Sequence, residues 1–285
     1  MSGRIDKLKR RAGAVARRLR RTSTTGQGGV ADRVIRAAGS PAPLPIGHRG
    51  NPATDPENSL ASFRTAVKLG AKVIETDIRL SKDGVLFVSH DDNLTKRLGV
   101  PLVIAETNAA ELDAVRLVNG EKLPRLEDVL KELGRRVVWN LHFKKKEAPE
   151  RSAVRGRALL ALLQRHGLMG QVILSYSSLG NSRLMHKMAP HLPQVTISHL
   201  GGVELIERVN KAPAYMRIVS IELRKADDEV RAAIHARGMK MAVYSARTPE
   251  AMDKVLPKRP DMIFVDDVSM ARQRIARYQS TGASK

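Results

Sequence analysis

Three short polar groups of residues, each following an apolar run, contain the side chains that could carry out chemistry. They are His48-Arg49-Gly50, Glu75-Thr76-Asp77 and His90-Asp91-Asp92. Histidine can accept or donate a proton near neutral pH, arginine binds phosphate oxygens in pairs, and carboxylates hold divalent metal ions. Together these side chains could support metal-assisted attack on a phosphate ester.

The spacing of these residues predicts where they lie on strands. Glu75 and Asp77 are two residues apart, so on a strand both side chains project to the same face. His48 and His90 each end an apolar run, LPIGH and VLFVSH. In a barrel of parallel strands, side chains at the carboxyl ends of strands meet at one mouth. Simpler interpretations are an exposed polar strand end, an ion pair with one of the many arginines, and structural histidines.

Strand-like apolar runs alternate with helix-like stretches from residue 44 onward, which predicts a parallel sheet with helical crossovers. The number of units favours a closed α/β barrel of the TIM type, (β/α)8, over an open sheet. The predicted strands are Leu44–Gly47, Val73–Ile78, Val85–Ser89, Val137–Leu141, Val172–Ser175, Gln194–Ser198, Ile218–Glu222, Met241–Tyr244 and Met262–Val265. The predicted helices are Asn58–Leu69, Ala109–Val115, Leu126–Leu133, Ala153–His166, Asn181–Met188, Ala226–Arg237 and Pro249–Leu256, with a short helix before residue 40.

The link between the second and third predicted strands is too short for a helical crossover. Asp83-Gly84 within this link is typical of a tight turn. We therefore predict a hairpin or an irregular barrel edge at this point, since nine strands are predicted for eight barrel positions.

Composition excludes several classes of function. The chain has 285 residues, near the size of one such barrel, and no cysteine, which excludes disulfides, thiolate metal sites and a cysteine nucleophile. Aromatic residues make up only 3%, which argues against base stacking, and no specific nucleic-acid partner is expected. No Gly-rich nucleotide-binding loop is present.

Of the net charge of +21, +9 lies in the first forty residues, which contain eleven Lys and Arg but only two acidic residues, and the other 245 residues carry +12. We divide the chain into a basic extension and linker (1–40), a barrel domain (41–278) and a tail (279–285). Residues 1–21 have apolar residues at helical spacing among many basic ones, which could form a helix on an anionic membrane surface. A solvated basic tail and an organelle transit peptide remain alternatives. No apolar signal core or membrane span is seen, so a cytoplasmic protein, with peripheral membrane contact through residues 1–21, is expected.

The stretch IGHRGNPATDPENSLASFRTAVKLGAKVIETDIRLSKDGVLFVSHDDNLTK resembles the opening half of the glycerophosphodiester phosphodiesterases. The match consists of the motifs HRG, PEN, E-x-D, K-D-G and HD, in that order. The resemblance continues more loosely to about residue 270. It implies a barrel enzyme that hydrolyses small glycerophosphodiesters, such as glycerophosphocholine, to glycerol 3-phosphate and an alcohol.

The resemblance also implies roles for single residues. His48 and His90 are the expected catalytic pair, Glu75 and Asp77 the expected metal ligands, and Arg49 a phosphate-binding residue. Which histidine acts as acid, and whether water or the substrate's own glycerol hydroxyl attacks, stay open.

Supporting roles are implied for three further residues. Glu57 and Asn58 match the family's P-E-N motif, with an Arg49–Glu57 ion pair and a helix cap at Asn58 as the simpler interpretations. Tyr244 replaces a tryptophan and is expected to line the pocket or the core. Asp267 matches the aspartate of the family's closing motif.

One departure from the family pattern concerns the metal. The family's Asn-aliphatic-Glu-aliphatic-Lys motif reads Asn140-Leu141-His142-Phe143-Lys144 in this chain. Lys144 aligns as a phosphate-binding residue, but His142 stands where the family has a third carboxylate ligand. The family binds Mg²⁺ or Ca²⁺, whereas an imidazole ligand favours Mn²⁺ or Zn²⁺. Glu222 completing the site and an impaired site are the alternatives.

Two other functions follow from the same residues. A lipid-directed phosphodiesterase of the same superfamily would use the basic extension to reach its membrane. A non-catalytic barrel would bind anionic ligands or membranes through its charge, and His142 is the residue that suggests it.

Overall fold

Eight parallel strands close into a barrel in this computed structural model, which describes residues 29–144, 149–244 and 246–282. The strands are β1 (Leu44–His48), β2 (Val73–Leu80), β3 (Leu86–Val88), β4 (Val138–Phe143), β5 (Val172–Tyr176), β6 (Gln194–Ser198), β7 (Met216–Glu222), β8 (Lys240–Tyr244) and β9 (Met262–Val265). All except β3 belong to the barrel, which closes because β1 pairs with both β2 and β9. The predicted (β/α)8 barrel is therefore confirmed.

Helices cover the outside of the barrel. Among the described residues they are α1 (Val30–Ala37), α2 (Leu60–Lys68), α3 (Thr95–Leu98), α4 (Ala109–Leu112), α5 (Leu126–Leu133), α6 (Pro149–Arg165), α7 (Leu179–Met188), α8 (Gly202–Asn210), α9 (Asp228–Ala236), α10 (Pro249–Val255) and α11 (Val268–Ser280). The main apolar core lies between these helices and the strands. Trp139 of β4 and Phe63 of α2 meet edge to face there, with ring centroids 5.3 Å apart.

β3 forms an antiparallel hairpin with β2 outside the barrel, as the short link between them predicts. Ile78 pairs with Val88 and Leu80 with Leu86. Gly84 in the connecting turn has a φ of +91°, a conformation that glycine adopts without strain. Because β3 runs back towards the barrel mouth, the hairpin brings the segment after Val88, which contains His90, to the site.

The strand register brings the predicted site residues together. Glu75 of β2 pairs with His48 of β1 on one side and with Asn140 of β4 on the other. Asp77 pairs with His142, one pleat nearer the carboxyl ends of the strands. Residues paired across neighbouring strands share a face, so these side chains all project into the barrel.

α1 closes the opposite end of the barrel. Its residues Ala31 and Ile35 are buried against apolar residues at the amino-terminal ends of the strands, among them Ile46 and Val73. This helix lies inside the range assigned to the N-terminal extension, so the described part of that range packs as part of the barrel. The boundaries at residues 41 and 278 stay predictions, and residues 1–21 lie outside the described part of the chain.

Three helices were not predicted from the sequence, namely the single-turn α3 and the longer α8 and α11. In α8 only two buried residues, Leu205 and Val209, mark the helical period. In α11 the buried Val268, Ala271 and Ile275 have helical spacing, but polar and basic residues dominate the segment. Both of these longer helices have a narrow apolar stripe, which is a weak signal in the sequence.

Replacing Ile35 with Ala tests whether α1 contributes to the stability of the barrel. Ile35 is 1% exposed, so truncation should lower the free energy of unfolding by about 2–5 kcal/mol. Val30 of the same helix is 37% exposed, and its replacement by Ala should cost less than about 1 kcal/mol. Chemical denaturation of the two variants measures both values. Equal, small losses would show that α1 is not part of the cooperative fold.

Candidate active site

Asp77 lies at the centre of the polar groups in the barrel mouth and is fully buried, with 0% of its surface exposed. Its Oδ2 accepts a hydrogen bond from the Asn58 amide at 3.2 Å and lies 3.3 Å from Nε of Arg49. Its Oδ1 lies 3.2 Å from Nδ1 of His142 and 3.6 Å from Nζ of Lys144. Burial by itself raises the pKa of Asp77, but these partners together hold it well below its usual range, so the carboxylate is ionised.

Arg49 is held in place from two sides. Its Nη1 donates to both oxygens of Glu57 at 2.8 Å, and its backbone N–H donates to the carbonyl of Glu75 at 2.9 Å. Its φ of +56° is unusual for a residue with a side chain and turns the chain sharply after β1. The ion pair with Glu57 considered from the sequence is present, and Arg49 reaches the centre of the site as well.

Asn58 connects the turn before α2 to β2. Its backbone N–H donates to the carbonyl of Arg49 at 2.9 Å, and its side-chain oxygen accepts from Thr76 at 2.8 Å. The helix cap proposed for Asn58 is wrong. Ser59 is the capping residue and accepts from the backbone N–H of Ser62, while Asn58 adopts a positive φ and turns its amide towards Asp77.

Glu75, Asp77 and His142 form a group whose ligand atoms lie within 4.8 Å of one another. Oδ1 of Asp77 is buried and accepts no well-aligned hydrogen bond, although the polar groups of His142 and Lys144 lie close to it. An unsatisfied carboxylate oxygen beside a second carboxylate and an imidazole fits a divalent cation, which would satisfy it. These three side chains could therefore hold a metal ion.

The two carboxylates change the titration of His142. Burial lowers the pKa of His142, but the adjacent carboxylates of Asp77 and Glu75 outweigh this and raise the pKa above its usual value. A metal ion and a proton would compete for this imidazole, so metal binding to His142 requires its neutral form.

His48, at the end of β1, is oriented by an aspartate from the last strand of the barrel. Its Nδ1 donates to Oδ1 of Asp266 at 2.8 Å, which leaves Nε2 for the cavity. Despite burial, the contacts with His48 and Arg247 lower the pKa of Asp266. The closing motif thus contributes Asp266 to the site, whereas the predicted Asp267 caps α11 through the backbone N–H of Met270.

His90 has a matching arrangement on the other side of the mouth. Its Nδ1 donates to Oδ1 of the adjacent Asp91 at 2.7 Å. The guanidinium group of Arg79 in β2 donates a hydrogen bond to the backbone carbonyl of His90. Burial lowers the pKa of His90, and the nearby charges of Arg49 and Lys144 lower it further, while Asp77 and Asp91 partly offset them.

A cavity of about 260 Å³ occupies the barrel mouth beside His48 and Asp266. His48, Arg49, Glu75, His142 and Lys144 line it, as does Tyr244. The hydroxyl of Tyr244 lies 3.0 Å from Nδ1 of His199, and burial next to Glu222 raises its pKa to about 12, so the hydroxyl stays protonated.

Glu222 does not join the Glu75–Asp77–His142 group. Its carboxylate contacts His199 at 3.3 Å and Arg224 at 2.5 Å instead. Its proposed role as the third carboxylate is therefore not supported by the geometry.

Further residues of the cavity were missed from the sequence. They are Ser177, Ile197, His199, Ser220, Arg247 and Phe264. Each lies in or shortly after a strand of the second half of the chain, where the sequence has no compact motif. The shared position at the carboxyl ends of strands was the only available signal.

No helix among the described residues is both long and apolar enough to cross a membrane.

Comparison with known proteins gives relatives that include named glycerophosphodiester phosphodiesterases. The chain is 27% identical over 238 residues to the glycerophosphodiester phosphodiesterase of Bacillus subtilis, covering 75% of this chain and 80% of that protein. It is 26% identical over 238 residues to the enzyme of the same name from Caldanaerobacter subterraneus, covering 79% of this chain and 94% of that protein.

Solved structures share the fold. A Silicibacter pomeroyi protein described as a putative glycerophosphoryl diester phosphodiesterase superposes with a TM-score of 0.79 at 21% identity, covering 88% of this chain and 99% of that one. An Oleispira antarctica phosphodiesterase, solved in complex with the product sn-glycerol-3-phosphate, superposes with a TM-score of 0.73 at 22% identity, covering 83% and 98%.

The family model described as the glycerophosphoryl diester phosphodiesterase family matches residues 48–270. This range begins at the first histidine of the site and includes every barrel strand after β1. The chain therefore belongs to the glycerophosphoryl diester phosphodiesterase family.

Proposed function

We propose that this protein is a metal-dependent glycerophosphodiester phosphodiesterase that releases glycerol 3-phosphate and an alcohol. The observation that carries the proposal is the pair of histidines, His48 and His90, each hydrogen-bonded to a carboxylate at the mouth that also contains the Glu75–Asp77–His142 group. The relatives named for this reaction and the Oleispira complex with its glycerol phosphate product support it.

The two histidines would transfer the protons. In each, the carboxylate at Nδ1 fixes the tautomer and directs Nε2 away from that carboxylate. One imidazole would remove a proton from the attacking water, or from the glycerol hydroxyl of the substrate, and the other would protonate the oxygen of the leaving alcohol. Attack by the glycerol hydroxyl would give a cyclic phosphate, which water would then open to glycerol 3-phosphate. The lowered pKa of His90 favours its neutral form, whose Nε2 can accept a proton.

The phosphate would be held by positive charge. Lys144 lines the cavity, and its ammonium group lies 3.6 Å from Asp77, which fixes its position. Arg49 lines the same cavity and is held by Glu57 and Asp77. Both cations are therefore in place before the substrate binds, so little reorganisation is needed as negative charge develops on the phosphoryl oxygens.

Glu75, Asp77 and His142 would hold the metal ion. When bound, a divalent ion polarises the phosphoryl group and neutralises its charge. Because one ligand is an imidazole, we propose Mn²⁺ or Zn²⁺ as better matches than the Mg²⁺ or Ca²⁺ expected of the family. Asn58 positions this group by donating to Asp77, and Thr76 in turn fixes Asn58.

We also propose contact with an anionic membrane surface through residues 1–21. The support is charge alone, because the chain carries +21 and those residues lie outside the described part of the chain. The cytoplasmic location remains a prediction. A purely non-catalytic barrel is disfavoured, because it would not need both histidine–carboxylate pairs.

Replacing His48 or His90 with Ala should each lower kcat by about 10²–10⁴-fold, because each removes a proton-transfer group. Glycerol 3-phosphate release is the measurement. His166→Ala is the matched control, since His166 contacts Glu127 in the outer helical layer. Activity retained in a variant that lacks both His48 and His90 would refute the assigned chemistry.

Replacing His142 with Glu should shift metal preference towards Mg²⁺ and Ca²⁺, because it adds a negative charge and a hard oxygen ligand. His142→Gln is the matched control, which removes the imidazole without adding charge. Calorimetric titration with each ion gives the affinities independently of turnover. Unchanged relative affinities in the Glu variant would show that position 142 is not a ligand.

A further inference from the structure

A second cavity, of about 200 Å³, is lined at one end by His90, and its apolar part has no role in the chemistry described above. Its apolar lining consists of Val88, Leu94, Leu98, Leu117, Val118 and Leu123. It lies between the β2–β3 hairpin and the segment that connects β3 to α5. We refer to it as the apolar cleft.

The local structure of this segment places apolar side chains on both walls of the cleft. Leu94 and Leu98 lie at the two ends of the short helix α3, and Leu94 is buried in a small core with Phe87. On the other wall, Leu117 and Val118 lead into a turn closed by a hydrogen bond from Gly120 to the carbonyl of Leu117. This turn holds Val118 at the rim, where it is 78% exposed.

The charged side chains at the catalytic end of the cleft are paired with one another. Arg97 contacts Glu57 at 2.5 Å and Asp91 at 2.9 Å. Glu57 also pairs with Arg49, and Asp91 with His90. Since these charges neutralise each other, the cleft offers a charged ligand no free counter-charge.

The polarity of the two cavities differs. The mouth cavity is lined by side chains suited to phosphate and hydroxyl groups, among them Lys144, Ser177 and Ser220. The glycerol phosphate part of a substrate matches that polar lining. The apolar cleft is then the place for the alcohol esterified to the same phosphate. Arg49 lines the mouth cavity and pairs with Glu57, which lines the apolar cleft, so the two cavities are adjacent. One substrate could therefore place a group in each.

We propose that the apolar cleft binds an alkyl group on the leaving alcohol, so that the preferred substrates are glycerophosphodiesters of apolar rather than charged alcohols. This inference rests on the proposed phosphodiesterase activity and extends it to the choice of substrate. Burial of each methylene group favours binding, and the cleft is positioned to use that energy next to the reacting phosphate.

A series of glycerol phosphate esters with methanol, butanol and hexanol tests the proposal on the full-length, metal-loaded enzyme. All three are water-soluble and carry no charge on the alcohol. We expect kcat/KM to rise about 2- to 4-fold for each methylene that enters the cleft. Glycerophosphoethanolamine should be a poorer substrate than the butyl ester, because its ammonium group would lose hydration without gaining a partner.

Val118→Asp locates the effect in the cleft. It places a charge at the rim that an alkyl chain would have to cover, and exposure of Val118 allows the change without loss of folding. The readout is the ratio of kcat/KM for the hexyl and methyl esters, in which effects common to both esters cancel. Val203→Asp is the matched control, since Val203 is 72% exposed in the first turn of α8 and does not line the cleft.

The outcomes separate this proposal from the proposed function. A hexyl-to-methyl ratio that is large in the wild type and in Val203→Asp, and smaller in Val118→Asp, supports the alkyl site. A ratio near one in the wild type, with ready turnover of the methyl ester, overturns the alkyl site and leaves the phosphodiesterase intact. Equal ratios in both variants overturn its placement in the cleft. Failure to hydrolyse any ester under any metal condition refutes both.

Discussion

The buried carboxylate of Asp77 is the constraint on which the rest of the site depends. A charge removed from water destabilises the fold unless it is paired and hydrogen-bonded. Asp77 meets this requirement through contacts with Arg49 from the turn after β1, Asn58 from the turn before α2, and His142 and Lys144 from β4 and its carboxyl end. The contacts that neutralise one carboxylate also fix the phosphate-binding cations and the metal-binding group.

The same constraint explains the unusual backbone of the first turn. Arg49 and Asn58 both have positive φ values although neither is glycine. Such conformations persist when surrounding contacts over-determine them. Here the backbone N–H of Asn58 donates to the carbonyl of Arg49, and the side chains of both residues contact Asp77. Local strain is thus balanced by contacts with a buried charge.

The sequence predicted those features that depend on residues close together in the chain. The alternation of strands and helices predicted the barrel, the short Asp83-Gly84 link predicted the hairpin, and compact motifs identified the groups around Glu75 and Asp77. It failed where partners are distant in sequence. Nothing local distinguishes Asp266 from Asp267, and only the register of β9 against β1 brings Asp266 to His48. Likewise, the packing of α1 beneath the barrel depends on strand ends contributed by the whole chain.

The measurement that tests the central claim most directly is release of glycerol 3-phosphate by protein stripped of metal with a chelator, before and after single ions are added back. Glycerophosphoethanolamine and the butyl ester of glycerol phosphate would serve as substrates. The account predicts no release from the stripped protein and restored release with a divalent ion, Mn²⁺ or Zn²⁺ more effectively than Mg²⁺ or Ca²⁺. Full activity in the stripped protein would contradict this account, because it would show that the reaction needs no metal ion at the Glu75–Asp77–His142 group.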